Sequence, residues 1–284
     1  MTNTTNNDAT LRYTLSPRYT DLDTWRHVNN SRLYQLHQEA RIRAHIQRFG
    51  KDAWFSDEVR LRPLRTLTHY RQVSWYGSDI DAQISVTACD DDSFQLHSEL
   101  YQNGVLVGTQ ECVMAAFEHG HRVLLPGAVH RGLSEVASGN PAVLPPADYR
   151  EQLAHAHNFP VRQQLTPRYA DLDADSQRSE AALARYMEQA RSGAIRQLEF
   201  AGLGVLVAAV DISFAHFHAG WTPVELAAGI SRIGNSSFLF TGCALHKDEV
   251  QAAASSVMVV IDPATSRPVH IPPALREQLE AWVV

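Results

Sequence analysis

Lysine is almost absent from this 284-residue chain. Lys51 and Lys247 are the only lysines among 25 basic residues, and the charge balance is acidic, −6 at neutral pH. That balance disfavours nucleic acid as a partner. Cysteine is scarce as well: Cys89, Cys112 and Cys243 are odd in number and widely spaced, with no metal-ligand spacing. This excludes a disulfide framework and points to a reducing compartment. No run of about 18 apolar residues exists, so no membrane-spanning helix is expected. The polar stretch from Thr2 to Thr10 lacks the apolar centre of a signal peptide. It reads as a disordered tail, and the expected location is cytoplasmic. What is present is ordinary for a globular protein, with 44% apolar and 20% charged residues, and the length is enough for two cores.

An internal repeat organises the chain. Leu-Ser-Pro-Arg-Tyr-Thr-Asp-Leu-Asp at 15–23 returns as Leu-Thr-Pro-Arg-Tyr-Ala-Asp-Leu-Asp at 165–173. At the same offset of 150, Leu33, Ala40, Arg41 and Gln47 recur as Leu183, Ala190, Arg191 and Gln197. Farther on, Ser93-Phe94 and Val113-Met114 recur as Ser237-Phe238 and Val257-Met258, and Arg122, Pro126, Ala128 and Leu133 echo Arg267, Pro272, Ala274 and Leu279. The duplication covers two units, 11–135 and 161–284. Residues 136–160, with Gly139-Asn140-Pro141 and Pro145-Pro146, read as a linker.

Each unit has the same order: a short strand (about 11–19; 161–169), a polar loop, one long helix, then four strands. In the helices, Leu33, Leu36, Ala40 and Ala44, and Leu183, Tyr186, Met187, Ala190, Ala194 and Leu198, recur at helical spacing. The strands are expected at about 66–76, 80–89, 93–102 and 105–117 in the first unit. In the second they are expected at 207–217, 223–233, 237–246 and 250–262. This is an α+β unit, in which the helix must bury its apolar stripe on the sheet. Two such units in one chain can pair as a homodimer does, and further homo-oligomerisation is open.

After the repeated phrase the copies diverge. The first continues Thr-Trp-Arg-His-Val-Asn-Asn (24–30) and the second Ala-Asp-Ser-Gln-Arg-Ser-Glu (174–180). Asp21, Asp23, His27, Asn29 and Asn30 thus gather just before a helix. A helix N-terminus offers unpaired N–H groups and a positive dipole end, suited to polarising a carbonyl. A nearby carboxylate can act as base or nucleophile, and a histidine can orient it or carry a proton. Asp and Asn are also ordinary helix caps. Asp21 is therefore read as structural, and Asp23 as chemical. Glu39 and Arg43, four apart on the helix, read as a surface ion pair. His216 and His218 share a strand face without a third metal ligand, and Arg60, Arg62 and Arg65 read as solvated.

The stretch Pro-Arg-Tyr-Thr-Asp-Leu-Asp-x-x-x-His-Val-Asn-Asn-x-x-x-Tyr, followed by Glu39-Ala40-Arg41, resembles the hotdog-fold thioesterases. The likeness is to the acyl-ACP and 4-hydroxybenzoyl-CoA thioesterase-like branch. It implies a double hotdog: two tandem hotdog units, each a central helix wrapped by an antiparallel sheet. It further implies hydrolysis of an acyl-CoA or acyl-ACP thioester without cofactor or metal. Asp23 falls on the family's catalytic carboxylate, His27 on its catalytic partner, and Asn30 on the N–H that polarises the carbonyl. Asn29 and Tyr34 of the same motif are the candidate substrate contacts. Two features depart from the pattern. Trp25 stands where the plant acyl-ACP enzymes have Asn, and no carboxylate occurs near Ser74-Trp75-Tyr76, where they have Glu. Unit two, lacking the His and Asn pair, is read as scaffold and tunnel wall. The rival readings are a non-catalytic acyl-thioester binder and a hotdog hydratase.

Overall fold

The structure, a computed structural model, describes residues 9–145, 158–217, 221–247 and 249–284. Most of the N-terminal tail, the middle of the expected linker, and His218 lie outside the described residues. The chain divides into two compact units, 1–144 and 145–284.

Unit 1 opens with β1 (Thr10–Leu15), a single 3-10 turn at Tyr19–Asp21, and α1 (Asn30–Phe49). A short α2 (Lys51–Trp54) precedes β2 (Arg60–Tyr70), β3 (Ile80–Cys89), β4 (Ser93–Gln102) and β5 (Val105–Glu118). β6 (His121–Val123) pairs with β5, and α3 (Gly127–Ser134) closes the unit. The strand order is β1-β3-β4-β5-β2, antiparallel throughout. Unit 2 repeats the plan with β7 (Val161–Leu165), α4 (Glu180–Ile195), β8 (Gly204–Phe214), β9 (Val224–Ile233), β10 (Ser237–His246), β11 (Glu249–Ile261) and α5 (Pro273–Glu280). Its order is β7-β9-β10-β11-β8, the same permutation. No helix among the described residues is long and apolar enough to cross a membrane.

Several elements differ from the sequence reading. β2 begins at Arg60, several residues before the expected strand, because Arg60, Arg62 and Pro63 hide its apolar alternation. Its buried face runs Leu61, Pro63, then Thr66 and Thr68, shifted by a bulge between Pro63 and Arg65. A bulge is where a strand tolerates proline. β8 likewise begins and ends earlier than expected. Gly193 lies inside α4, which runs to Ile195 and leaves Leu198 beyond its end. The Pro-Ala-Leu parts of the echoing segments cap and form short helices, α3 and α5, which bury Val129 and Leu133, and Leu275 and Leu279.

The core of unit 1 lies between α1 and the inner sheet face, with Phe94, Leu96 and Leu100 of β4 opposite Leu33, Ala40 and Ala44. The buried face of α1 is wider than its apolar stripe. It also carries His37, Arg41 and His45, none more than 6% exposed. His37 Nδ1 shares a hydrogen bond of 2.7 Å with Ser98 Oγ. Gly108 lets that ring approach: a Cβ there would stand 3.4 Å from His37 Nε2 and 3.2 Å from Leu33.

Candidate active site

The loop between β1 and α1 is built by its own acidic residues. Asp21 is buried and accepts from the Arg18 N–H at 2.8 Å, with the Arg18 and Arg32 guanidinium groups at 3.5 and 4.0 Å. Its carbonyl accepts from the Asn29 N–H at 2.8 Å. Asp23 Oδ1 accepts from the Trp25 and His27 N–H groups at 2.8 and 3.0 Å, while the Asp23 N–H donates to the His27 carbonyl at 2.8 Å. The tight turn this makes puts Arg26 at φ 68°. Oδ2 of Asp23 has no hydrogen-bond partner among the described residues.

Unit 2 makes the same loop. Asp173 Oδ1 accepts from the Asp175 and Gln177 N–H groups at 2.9 and 3.1 Å, and Ser176 takes φ 57°. Both aspartates of the repeated phrase therefore hold the loop, not Asp21 alone. Asp23 combines that structural role with one unengaged oxygen.

His27 is pinned from outside the loop. It bridges to Trp75, whose ring meets the imidazole edge-on at 4.7 Å, and the Val28 N–H donates to the Ser74 carbonyl at 2.9 Å. These residues, expected as the end of a strand, instead serve as the wall of the site. Tyr70 at the end of β2 donates its hydroxyl to the Asn30 carbonyl at 3.1 Å. Sequence reading noted Ser74-Trp75-Tyr76 only for lacking a carboxylate, and missed Tyr70 and the Trp75 contact because nothing local ties them to a loop more than 40 residues earlier. Tyr19 and Tyr76 also pack edge-on and exposed, and in unit 2 Tyr169 stacks on Trp221, so an exposed aromatic pair recurs here in both units.

At the head of α1, Asn29 is the N-cap. Its Oδ1 accepts from the Ser31 N–H at 2.8 Å and the Ser31 hydroxyl at 2.7 Å. Asn30 follows as the first helical residue, and its N–H has no acceptor among the described residues. Tyr34 sits one turn on, 1% exposed, with its phenol oxygen 3.4 Å from the Thr66 hydroxyl. The structure thus brings Asp23, His27, Asn29 and Asn30 to one loop and helix end and places Tyr34 in the core behind them. Asn29→Ala should lower stability by about 1 kcal/mol, and Asn29→Ser should restore most of it. Urea unfolding of the two variants checks this, and equal stability of Asn29→Ala and wild type would contradict the cap.

The corresponding end of α4 is furnished differently. Ser179 is its cap, accepting from the Ala182 N–H at 3.0 Å. Glu180, only 6% exposed, stands where unit 1 has Asn30. A carboxylate there suits the helix dipole but opposes a developing oxyanion. Arg178, in place of Val28, is fully buried, with its guanidinium on the Gln251 side chain at 2.5 Å and the Thr222 carbonyl at 2.7 Å. At Asp171, burial works to raise the carboxyl pKa. The Arg168 N–H, the Arg185 and Arg168 side chains and the Tyr186 hydroxyl outweigh it and hold the group below its ordinary value.

Of the remaining candidates, Glu39 and Arg43 form the expected pair at 2.7 Å. His216 Nε2 lies 3.1 Å from Glu249. Arg60 meets Asp57 at 3.7 Å from within β2. Among the described residues, no three His, Cys, Asp or Glu side chains are grouped to hold a metal.

No protein-family model matches the sequence, and no curated protein matches it. Solved structures do. The 12:0-ACP thioesterase from Umbellularia californica superposes with a TM-score of 0.71 at 11% identity, covering 89% of this chain and 95% of that one. An acyl-ACP thioesterase from Bacteroides thetaiotaomicron gives 0.65 at 11% identity, covering 88% and 98%. A tesB protein from Mycobacterium avium subs paratuberculosis gives 0.53 at 10% identity, covering 88% and 92%. At such identities the likeness carries the fold alone: the chain is an α+β double hotdog, two hotdog units in tandem.

Proposed function

We propose that the chain hydrolyses an acyl thioester, carried on CoA or on acyl carrier protein, at the loop and helix end of unit 1. The observation that carries this is the Asn30 N–H. It heads a 20-residue helix, has no acceptor among the described residues, and adjoins a loop whose Asp23 keeps one carboxylate oxygen unengaged by them. The thioester carbonyl oxygen would accept from that N–H, and the helix dipole would favour the charge that develops there. Asp23 Oδ2 then either takes a proton from the attacking water or attacks the carbonyl carbon itself. In the second route an anhydride forms and water opens it. In both, the C–S bond breaks and the thiol leaves. His27, whose backbone N–H donates to Asp23 and whose ring meets Trp75 edge-on, would pass the proton. A base contributes roughly 10²–10⁴ in rate and one oxyanion donor on the order of 10²–10³. Together these make a working hydrolase without metal or cofactor. The fold shared with proteins named as ACP thioesterases supports the reading by analogy.

The direct test is thiol release from a panel of acyl-CoAs and acyl carrier proteins graded in acyl length. Release from at least one, with free acid as the other product, is the expected result. If no thioester is cleaved but some raise the melting temperature, the chain is an acyl-thioester binder. Hydration of an enoyl-CoA without thiol release would make it a hydratase.

A further inference from the structure

Beside the candidate site of unit 1, two loops bring aromatic rings to the surface. Residues 16–29 and 71–79 are joined by the bridge between His27 and Trp75, and by the Val28 N–H on the Ser74 carbonyl at 2.9 Å. Trp25 is 61% exposed, and Trp75 and Tyr76 are each 54% exposed. One large apolar side chain in water is ordinary, but several together mark a binding face. Exposed Arg26 follows Trp25, and exposed Arg71 lies three residues before Ser74. Neither guanidinium has a hydrogen bond or an ion pair among the described residues. The one exposed acid of the two loops, Asp79, is engaged by the Ser16 hydroxyl, which donates to it at 2.6 Å. In a chain of net charge −6, this face is locally basic.

Unit 2 builds the same backbone without these side chains. The Asp175 N–H donates to Asp173 as the Trp25 N–H does to Asp23. Ser176 takes the left-handed turn of Arg26, at φ 57° against 68°. The Ala215 N–H meets the Gln251 carbonyl at 2.8 Å, as the Arg71 N–H meets that of Val107 at 2.9 Å. Trp25, Arg26 and Arg71 therefore stand where the second copy has Asp, Ser and Ala. The fold requires neither the indole nor the two guanidiniums. Arg18 and Tyr19, by contrast, recur as Arg168 and Tyr169 and belong to the loop.

We propose that this face takes the nucleotide end of coenzyme A, with the adenine stacked on Trp25 and the phosphates at Arg26 and Arg71. The proposal rests on the thioesterase reading and narrows it, because the thioester carrier is then CoA and not acyl carrier protein. An exposed aromatic face holds a base by stacking, and guanidiniums meet phosphate oxygens with charge-assisted hydrogen bonds. An acidic carrier protein would meet the arginines with carboxylates but bring no base to the indole.

Adenosine 3′,5′-bisphosphate, which has the nucleotide but no thioester, is titrated into the full chain by calorimetry, with adenosine and inorganic phosphate as controls. It should saturate, bind more tightly than either control, and shift the Trp25 indole N–H signal in the NMR spectrum. The variant Trp25→Asp, Arg26→Ser, Arg71→Ala carries unit 2's residues. It should bind the bisphosphate roughly tenfold or more weakly, the order expected for losing one base stack. Hydrolysis gives a second readout. KM for an acyl-CoA should lie roughly tenfold or more below KM for the same acyl group on pantetheine, and the variant should remove that difference. The proposal is overturned if the bisphosphate fails to saturate, or if acyl carrier protein is cleaved with a lower KM than acyl-CoA. It also falls if the Trp25 signal is unmoved in the wild type, a readout that holds even if the variant does not fold. Binding of the bisphosphate without cleavage of any thioester would support the nucleotide face and remove the thioesterase reading. Cleavage without that binding would do the reverse.

Discussion

Asp23→Asn should lower kcat for thioester hydrolysis at least 100-fold while leaving the loop intact. The asparagine Oδ1 can still accept from the Trp25 and His27 N–H groups, which the aspartate meets at 2.8 and 3.0 Å. What is lost is the charge and basicity of the second oxygen. The expected factor follows from the usual contribution of a general base, roughly 10²–10⁴. Stability should move by no more than about 0.5 kcal/mol, as for substitutions that break no network. Asp173→Asn is the matched control. It makes the same change in the same turn, with bonds of 2.9 and 3.1 Å, and should keep activity within about twofold. The two variants together distinguish chemistry from loop maintenance, which Asp23→Ala would confuse by removing both. Full activity in Asp23→Asn would refute the catalytic assignment of Asp23. Equal loss in both variants would show that the turn, not the carboxylate, is what activity requires.

Two buried histidines should together cost the fold about 4 kcal/mol of stability between pH 7 and pH 5, part of which His97 offsets. Burial, and then the neighbouring Arg41 and His97, hold His37 down to about 3. Burial alone holds His45 down to about 4. An unfolded histidine titrates near 6.5, so between pH 6.5 and 4 the unfolded chain binds protons that the fold refuses. Their stabilising effect is complete above about pH 6.5 and falls as pH drops toward the folded values, at about 1.4 kcal/mol per pH unit for each. His97 has the opposite sign. Its hydrogen bond to Glu111 raises it against the pull of burial. Its contribution is therefore present below its unfolded value and lost as pH rises through its folded one. Asp171 and Glu225 are lowered, so theirs is lost only as pH falls below about 4.5, outside this window. Urea unfolding at pH 7 and pH 5 measures the difference. His45→Ile, which carries the unit 2 residue, should roughly halve the loss. An unchanged midpoint across that range would show that neither ring is held neutral.

The repeat, the order of elements and the loop before a long helix were all legible in the residues. They rest on local signals: identical phrases, turn residues, and apolar spacing along one segment. β3 and β4 fall where turn punctuation put them, because Asp90-Asp91-Asp92 and Gln102-Asn103-Gly104 mark chain reversals wherever they occur. β2 did not, since its inward face uses proline and two threonines and is displaced by a bulge that only pairing with β5 defines. The divergence of 24–30 from 174–180 located the candidate site, but not what each residue does there. That Asp23 braces its own turn depends on backbone angles no pattern records. That Trp75 flanks His27, and Tyr70 bonds Asn30, depends on a strand returning past the helix end. The polar inward face of α1 was the least visible. His37, Arg41 and His45 share a helix face with Leu33, Ala40 and Ala44, and apolar spacing cannot say how wide the buried arc is. Only the sheet packed against α1 decides that, by covering the histidines and excluding the water that would otherwise keep them ionisable.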